Sequence, residues 1–281
     1  MTNNTYAGMW LLADMCLHIL SLALVKSLGA DYPVSQIVFF RASIGLLLLL
    51  PWIITSKSNF SYTENLQLHL LRVLFSTVAL SCGYFALTKI PLAMFTVLNY
   101  LRPAVLMVMA TVLLGEWIGG RRWFAVALGF VGVLVAVRPE STPAETGLIA
   151  LFIAIVAGST ATILLRQLKG TPKIVMMVFY TGGLTLCAAP FGLIHWVPIQ
   201  RDDVLPLIAI GLFAQSAQYC FLRAHWLGDM GFLGPLSYLG LVLSATAGYI
   251  FFSETPTLAL IIGAGIIILS ATLLNRSQLR Q

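Results

Sequence analysis

The sequence predicts an all-α integral membrane protein whose ten transmembrane helices form two inverted five-helix repeats, and three observations lead there. Apolar residues make up 59% of the chain and charged residues only 9%, with a mean hydropathy of +0.93, whereas roughly a quarter of a soluble domain is charged. Apolar blocks of about 20 residues, the length that crosses a hydrocarbon core, recur between polar, Pro or Gly punctuation. The second half of the chain echoes the first at a shift of 138 or 139 residues.

The blocks follow in order. The first, 8–28, comes after a stretch with no basic region and carries Asp14 and His18, so it is expected to stay as a helix and not to be cleaved as a signal peptide. The second, 33–55, lies between Pro33 and a polar run, and the third, 68–87, stops before Lys89 and Pro91. The fourth, 93–114, contains Pro103 and ends before Glu116, and the fifth, 123–137, follows Arg121 and Arg122. The second half supplies 147–165, 173–194, 204–222, 231–252 and 257–274, each again bounded by polar residues, Pro or Gly. The connections are short and leave no room for a soluble catalytic domain, so the function is expected inside the membrane.

Basic residues set the orientation, because cytoplasmic loops carry the excess of Lys and Arg. With the N-terminus inside, Lys57, Arg121, Arg122, Arg166, Lys169, Lys173, Arg223, Arg276 and Arg280 flank the inner side, against Lys26, Lys89, Arg138 and Arg201 outside. This predicts a multi-pass protein of the inner (cytoplasmic) membrane with both termini cytoplasmic. The net charge of +6 is scattered between apolar blocks, unlike the clustered basic face of a nucleic-acid reader, so no nucleic acid is expected. Cys16, Cys82, Cys187 and Cys220 each sit in an apolar stretch with no CxxC pair, suggesting neither a disulfide framework nor a metal site. No GxxxxGK[ST] motif is present, so no nucleotide or other cofactor is expected.

The shift places Gly8 on Gly147, Pro51 on Pro190, Tyr100 on Tyr238 and Glu116 on Glu254, while Tyr84 falls near Tyr219 at a shift of 135. Repeats are expected at 1–140 and 141–281. Five spans per unit is an odd number, so the second unit enters from the opposite side, the pseudo-symmetry of many secondary carriers. A channel or scaffold is the alternative product of such a duplication.

Several segments resemble the drug/metabolite transporter superfamily, EamA type. They are FFRASIGLLLLLP at 39–51, YFALTKIPLAMFTVLNYLRPAVLMVMATVLLGE at 84–116, GFVGVLVAVRP at 129–139 and MGFLGPLSYLGLVLSATAGYIFFSE at 230–254. The resemblance covers essentially the whole chain. It implies ten helices with cytoplasmic termini, a central cavity between the halves, alternating access, and transport of a small organic metabolite. The family's substrates include amino acids, nucleotide-like metabolites, S-adenosylmethionine and vitamins such as riboflavin.

Ionisable residues within a bilayer are costly and usually face a partner or a wet cavity. Asp14, His18 and Ser21 share one face of the first helix, which makes Asp14 and His18 candidates for coupling or cation binding, or for a structural brace. An intramembrane acid–base role for that pair has no supporting HExxH, GxSxG or Cys/His cluster, and no enzyme is expected. Arg41 and Arg102 reach similar depth and suit a carboxylate or phosphate. Thr96 and Asn99 precede Arg102, and Pro103 lacks the N–H that would bond the Asn99 carbonyl, so a kink with exposed backbone is expected there. Gln215, Gln218 and Tyr219 form one stripe, and Thr77, Ser81 and Tyr84 another. Tyr100 and Tyr238 occupy equivalent places and, with Phe95 and Tyr180, offer stacking surfaces. The substrate-binding candidates are therefore Arg102, Asn99, Tyr100, Arg41, Tyr84, Gln215, Tyr219 and Tyr238. Glu116 and Glu254 are expected to cap helices or pair with loops. Small residues four apart, Ala125 with Gly129, Gly132 with Ala136 and Ala259 with Gly263, mark scaffold helices that pack within the chain or in a homodimer.

Overall fold

The chain is described here as a computed structural model covering residues 4–55, 65–114, 120–136, 143–168, 171, 173–228, 233 and 236–278. The described residues form helices and no strands. In order these are α1 (Asn4–Leu28), α2 (Val34–Thr55), α3 (Leu66–Lys89), α4 (Leu92–Asn99), α5 (Arg102–Leu114) and α6 (Gly120–Ala136). The series continues with α7 (Pro143–Gln167), α8 (Lys173–Ile194), α9 (Val204–Leu227), α10 (Leu239–Phe252) and α11 (Leu258–Gln278). Seven segments are long and apolar enough to span a membrane, one of them running across α4 and α5, and α6, α10 and α11 supply three shorter apolar stretches. Ten membrane-crossing segments fit this set. The outer surface carries large apolar side chains such as Leu47, Val112, Leu134, Leu186, Ile194 and Leu205, each more than 60% exposed, a surface that suits acyl chains and not water.

The helices overrun the apolar blocks. α1 starts at Asn4 and is 25 residues long, and α9 continues to Leu227 through Arg223 and His225. Polar side chains end an apolar block without ending a helix, because the backbone gains nothing by unwinding in the headgroup layer. The fourth span is two helices and not one kinked helix. Pro103 removes the donor for the Asn99 carbonyl, and Tyr100 and Leu101 tighten back with N–H bonds to Val97 and Leu98 oxygens at 3.1 and 3.0 Å. In the ninth span Leu233, Leu236 and Ser237 are already helical, a turn at Tyr238 follows, and α10 starts at Leu239 with Tyr238 at its N-cap and the Leu241 N–H returning to the Tyr238 oxygen at 3.0 Å.

The main packing partners are α3 with α7, α1 with α9, α6 with α11 and α2 with α8. Pairs α2/α9, α3/α8, α5/α7, α1/α10 and α4/α10 complete the bundle. Near contacts give the directions. Gly228 lies on Ala7 and Gly147 lies on Lys89, while Gly29 lies on Thr88. The start of α1, the start of α3 and the ends of α7 and α9 therefore share one face, and the end of α1, the end of α3 and the starts of α7 and α9 share the other.

The small-residue stripes of α6 and α11 face each other inside the chain. A methyl at Gly263 would lie 2.6 Å from the Gly132 oxygen and 2.7 Å from the Ala136 nitrogen, and the Ser270 hydroxyl donates to the Ala125 oxygen at 2.6 Å. Gly263→Val is expected to destabilise the fold by about 1–3 kcal/mol, because backbone cannot yield as a side chain can. Thermal unfolding in detergent measures it, and an unchanged midpoint would mean that this seam is not close-packed.

Candidate functional site

A cavity of about 730 Å³ lies between α1, α3, α4, α5, α7, α8, α9 and the segment leading into α10. Leu11 to Leu22 of α1 form one wall. The cavity reaches Arg72 near the start of α3, Leu165 near the end of α7 and His225 near the end of α9, which are the ends gathered on the face of α1's start. Toward the other face its walls end at Leu22, Tyr84 and Leu151.

Polar groups enter this largely apolar space from several helices. Asp14 and His18 come from α1, Arg72, Ser76 and Tyr84 from α3, Thr96, Asn99 and Tyr100 from α4 and its end, and Arg102 from the start of α5. Thr162, Tyr180 and Gln218 come from α7, α8 and α9. The break between α4 and α5 is what turns Tyr100 and Arg102 inward from consecutive short helices. Asn99 donates to the Phe95 oxygen at 2.9 Å and Thr96 to the Leu92 oxygen at 3.0 Å, so both brace the last turn of α4. Tyr100 donates to the Ser237 oxygen at 2.6 Å and lies 5.5 Å from the Tyr238 ring. This links the break in the fourth span to the start of the ninth. The Arg102 guanidinium rests against Gly158 of α7, where a methyl would collide with it.

Six of the ten residues singled out in the sequence line the cavity: Asp14, His18, Tyr84, Asn99, Tyr100 and Arg102. The other four stand elsewhere. Arg41 lies behind the wall, 5.8 Å from the Tyr84 ring and close to Tyr180, with its Nε buried and unbonded. Gln215 fills the seam beside Gly45, where a methyl would lie 3.1 Å from its Oε1. Tyr219 is 44% exposed, receives a hydrogen bond from Arg223 Nε at 2.9 Å and meets Trp10 edge-on. Tyr238 supports Tyr100 and directs its hydroxyl to the Ile268 oxygen at 3.5 Å. Glu116 lies outside the described residues.

Arg72 is the main residue the sequence reading passed over, because it sits near the start of a helix and reads as an anchor. Its guanidinium is 5.6 Å from the Tyr180 ring and donates to the Met176 oxygen at 3.4 Å. An arginine two turns into an apolar span was the available signal. Arg41, Arg72 and Arg102 all approach Tyr180, and His18 lies within the field of Arg41 and Arg102. Among the described residues none of the three arginines has an ion pair; the one ion pair is Lys26 with Glu254. The cavity therefore presents Arg72 and Arg102 without a carboxylate paired to either among the described residues, which suits a carboxylate or phosphate.

The opposite face is closed by bonds between distant segments. Lys26 Nζ meets Glu254 Oε1 at 2.7 Å and the Ile90 oxygen at 2.6 Å, and Glu254 Oε2 accepts the Leu92 N–H at 2.8 Å. Glu254 thus pairs with a side chain and supplies the acceptor for the first turn of α4. Local geometry aims it there. Ser253 at φ 54° ends α10 in the left-handed region, and the Glu254 N–H returns to the Gly248 oxygen at 3.0 Å. Gly248 leaves the space, since a methyl would lie 2.8 Å from Oε2. Beside this, Tyr32 donates to Asp203 at 2.7 Å, and Gln36 exchanges bonds of 2.9 and 3.0 Å with the Val197 backbone.

The chain is 25% identical to the S-adenosylmethionine uptake transporter of Rickettsia prowazekii, over 94% of this chain and 90% of that one. It is 28% identical to the pseudopaline exporter CntI of Pseudomonas aeruginosa, over 91% of each, and 25% identical to the riboflavin transporter of Vibrio cholerae, over 96% and 92%. A solved crystal structure shares the fold, with a TM-score of 0.67 at 21% identity over 98% of both chains. The model of the EamA-like transporter family matches residues 5–138 and again 145–276. The protein belongs to the EamA-like transporter family and is a multi-pass membrane transporter of small metabolites.

Proposed function

We propose that the protein is a secondary carrier of the cytoplasmic membrane, with both termini cytoplasmic, that moves an organic metabolite bearing a carboxylate or phosphate by alternating access. The observation that carries this reading is the cavity at the α4–α5 break, where Arg102 faces solute space with no counter-ion of its own. Arg102 is the anion anchor, with Arg72 beside it and Arg41 acting through Tyr180. Asn99, Tyr100 and Tyr84 shape the wall, and Tyr238 holds Tyr100.

The alternation is assigned to two inverted repeats, 1–140 and 141–281. The packing pattern supports this. Exchanging α1, α2, α3, α4/α5 and α6 with α7, α8, α9, α10 and α11 turns α3/α7 into α9/α1, α2/α9 into α8/α3, and α5/α7 into α10/α1. It leaves α2/α8, α6/α11 and α4/α10 as themselves. The family model's two successive matches agree. In this reading the structure is the state open toward the face of α1's start, the cytoplasmic side.

The relatives supply the first compounds to try, S-adenosylmethionine and riboflavin, with amino acids and nucleosides beside them. A ligand held by the folded state raises its apparent stability in proportion to occupancy. A dose-dependent rise in the melting temperature of the detergent-purified protein, lost in Arg102→Gln, is expected. A rise that survives Arg102→Gln undiminished would remove that arginine from the site.

A further inference from the structure

The cavity holds two opposite charges that do not meet. Asp14 and Arg102 both line it. Among the described residues neither has an ion pair or a hydrogen bond, and no carboxylate lies within 4.0 Å of the guanidinium. Both are ringed by protein yet accessible to a solute, Asp14 partly and Arg102 more fully. A lone charge in a membrane-embedded cavity is costly unless it is paired or hydrated. A structural pair would be expected to close on itself, as Lys26 and Glu254 do.

The positions define two poles. His18 is one turn from Asp14 along α1, about 5.4 Å of rise, and it is His18 that lies toward Arg102 and Arg41. Asp14 faces the Cys220 side of α9. The same cavity is lined by Met15, Phe95, Tyr100 and Phe221, which offer apolar and aromatic contact. Arg72 also lines the cavity and, like Arg102, approaches Tyr180.

We infer that the cavity is a bipolar site for a zwitterion, with the solute's cationic group on Asp14, its carboxylate on Arg102, and its apolar body against Tyr100 and Phe221. This rests on the carrier reading above and deepens it, because it makes Asp14 a contact to the solute and not a proton carrier. A molecule with only the carboxylate leaves Asp14 unpaired, and one with only the amine leaves the arginines unpaired. Either loses one of the two charge-assisted contacts.

The test has an arm that needs no ligand. If the two charges wait for a solute, Asp14→Asn and Arg102→Gln each relieve an unpaired charge. The apparent melting temperature of the ligand-free protein should then rise by about 2 °C or more in each, with additive effects in the double variant. A fall in either single variant, or a double variant more stable than the sum, would show a structural partner and overturn the proposal.

The second arm measures melting shifts with phenylalanine, 3-phenylpropionate and phenethylamine, and with S-adenosylmethionine and its decarboxylated form. A compound carrying both signs of charge should shift the wild type at a concentration at least tenfold lower than its counterpart carrying only one sign. Asp14→Asn should erase the advantage of phenylalanine over 3-phenylpropionate, leaving the acid unaffected. Equal loss of acid and zwitterion in Asp14→Asn would assign Asp14 to protonation and overturn the bipolar site while the carrier reading stands. Unaltered binding of every compound in Arg102→Gln would overturn the carrier site itself.

Discussion

Replacing Arg102 with glutamine is expected to raise the half-saturating solute concentration for transport by at least tenfold, with the protein still folded and inserted. A charge-assisted hydrogen bond contributes about 1.5–3 kcal/mol, and each 1.4 kcal/mol is about a factor of ten. Arg102→Lys should fall between the two, because an ammonium keeps the charge and loses the planar fork. Gly158→Ala gives an independent check. It leaves the arginine in place but puts a methyl where the guanidinium rests, so affinity should drop with little change in stability. Initial rates in proteoliposomes over a range of solute concentrations measure all three. If Arg102→Gln keeps the wild-type half-saturation while Gly158→Ala weakens it, the anion anchor lies elsewhere on the same wall.

Loss of Glu254 should shift the protein toward the state open on its sealed face. Glu254 holds Lys26 at 2.7 Å and the first N–H of α4 at 2.8 Å, both partly shielded from water. The proposed alternating access requires those bonds to break on opening. Glu254→Ala removes both, and Glu254→Gln keeps an acceptor for Leu92 while dropping the ion pair. A shift of about 1.5–3 kcal/mol for the first corresponds to roughly ten- to a hundredfold in the equilibrium, with the second intermediate. The readout is reaction of a membrane-impermeant thiol reagent, added from the sealed side, with a cysteine replacing Leu22, in a background lacking the four native cysteines. Leu22 lines the cavity and is 5% exposed. Unchanged labelling in Glu254→Ala would mean that this contact is not what keeps the face shut.

Much of the fold was legible because the bilayer imposes it. A span must satisfy its backbone internally, so an apolar block of sufficient length reads as a helix, and the ten blocks fit the seven long spans and three shorter apolar helices of the described residues. Helix ends were less legible, since Asn4 at the start of α1 and Arg223 near the end of α9 are polar but still helical. The break after Asn99 was visible as Pro103, but whether a proline kinks or divides a helix depends on what receives the freed groups, here the tightened turn at Tyr100 and Leu101. Cavity-lining positions were legible where a charge interrupts an apolar span, as at Asp14, His18 and Arg102. Direction within a stripe was not. Gln215, Gln218 and Tyr219 share a face by spacing, yet only Gln218 reaches the cavity, because the neighbours of α9 divide that face among α1, α2 and the open space. Arg41 and Arg72 show the same limit, since depth in the membrane places a residue without saying which wall stands in front of it.

The central claim is that this cavity loads a solute at one face and releases it at the other. Counterflow tests it most directly. Proteoliposomes preloaded with an unlabelled compound from the stability panel are given a trace of the same compound in labelled form outside. A carrier predicts transient accumulation of label above its outside concentration, saturable and reduced in Arg102→Gln, because the returning site exchanges one molecule for another. Label that only equilibrates, at a rate indifferent to preloading and linear in concentration, would describe an open pore and contradict the account.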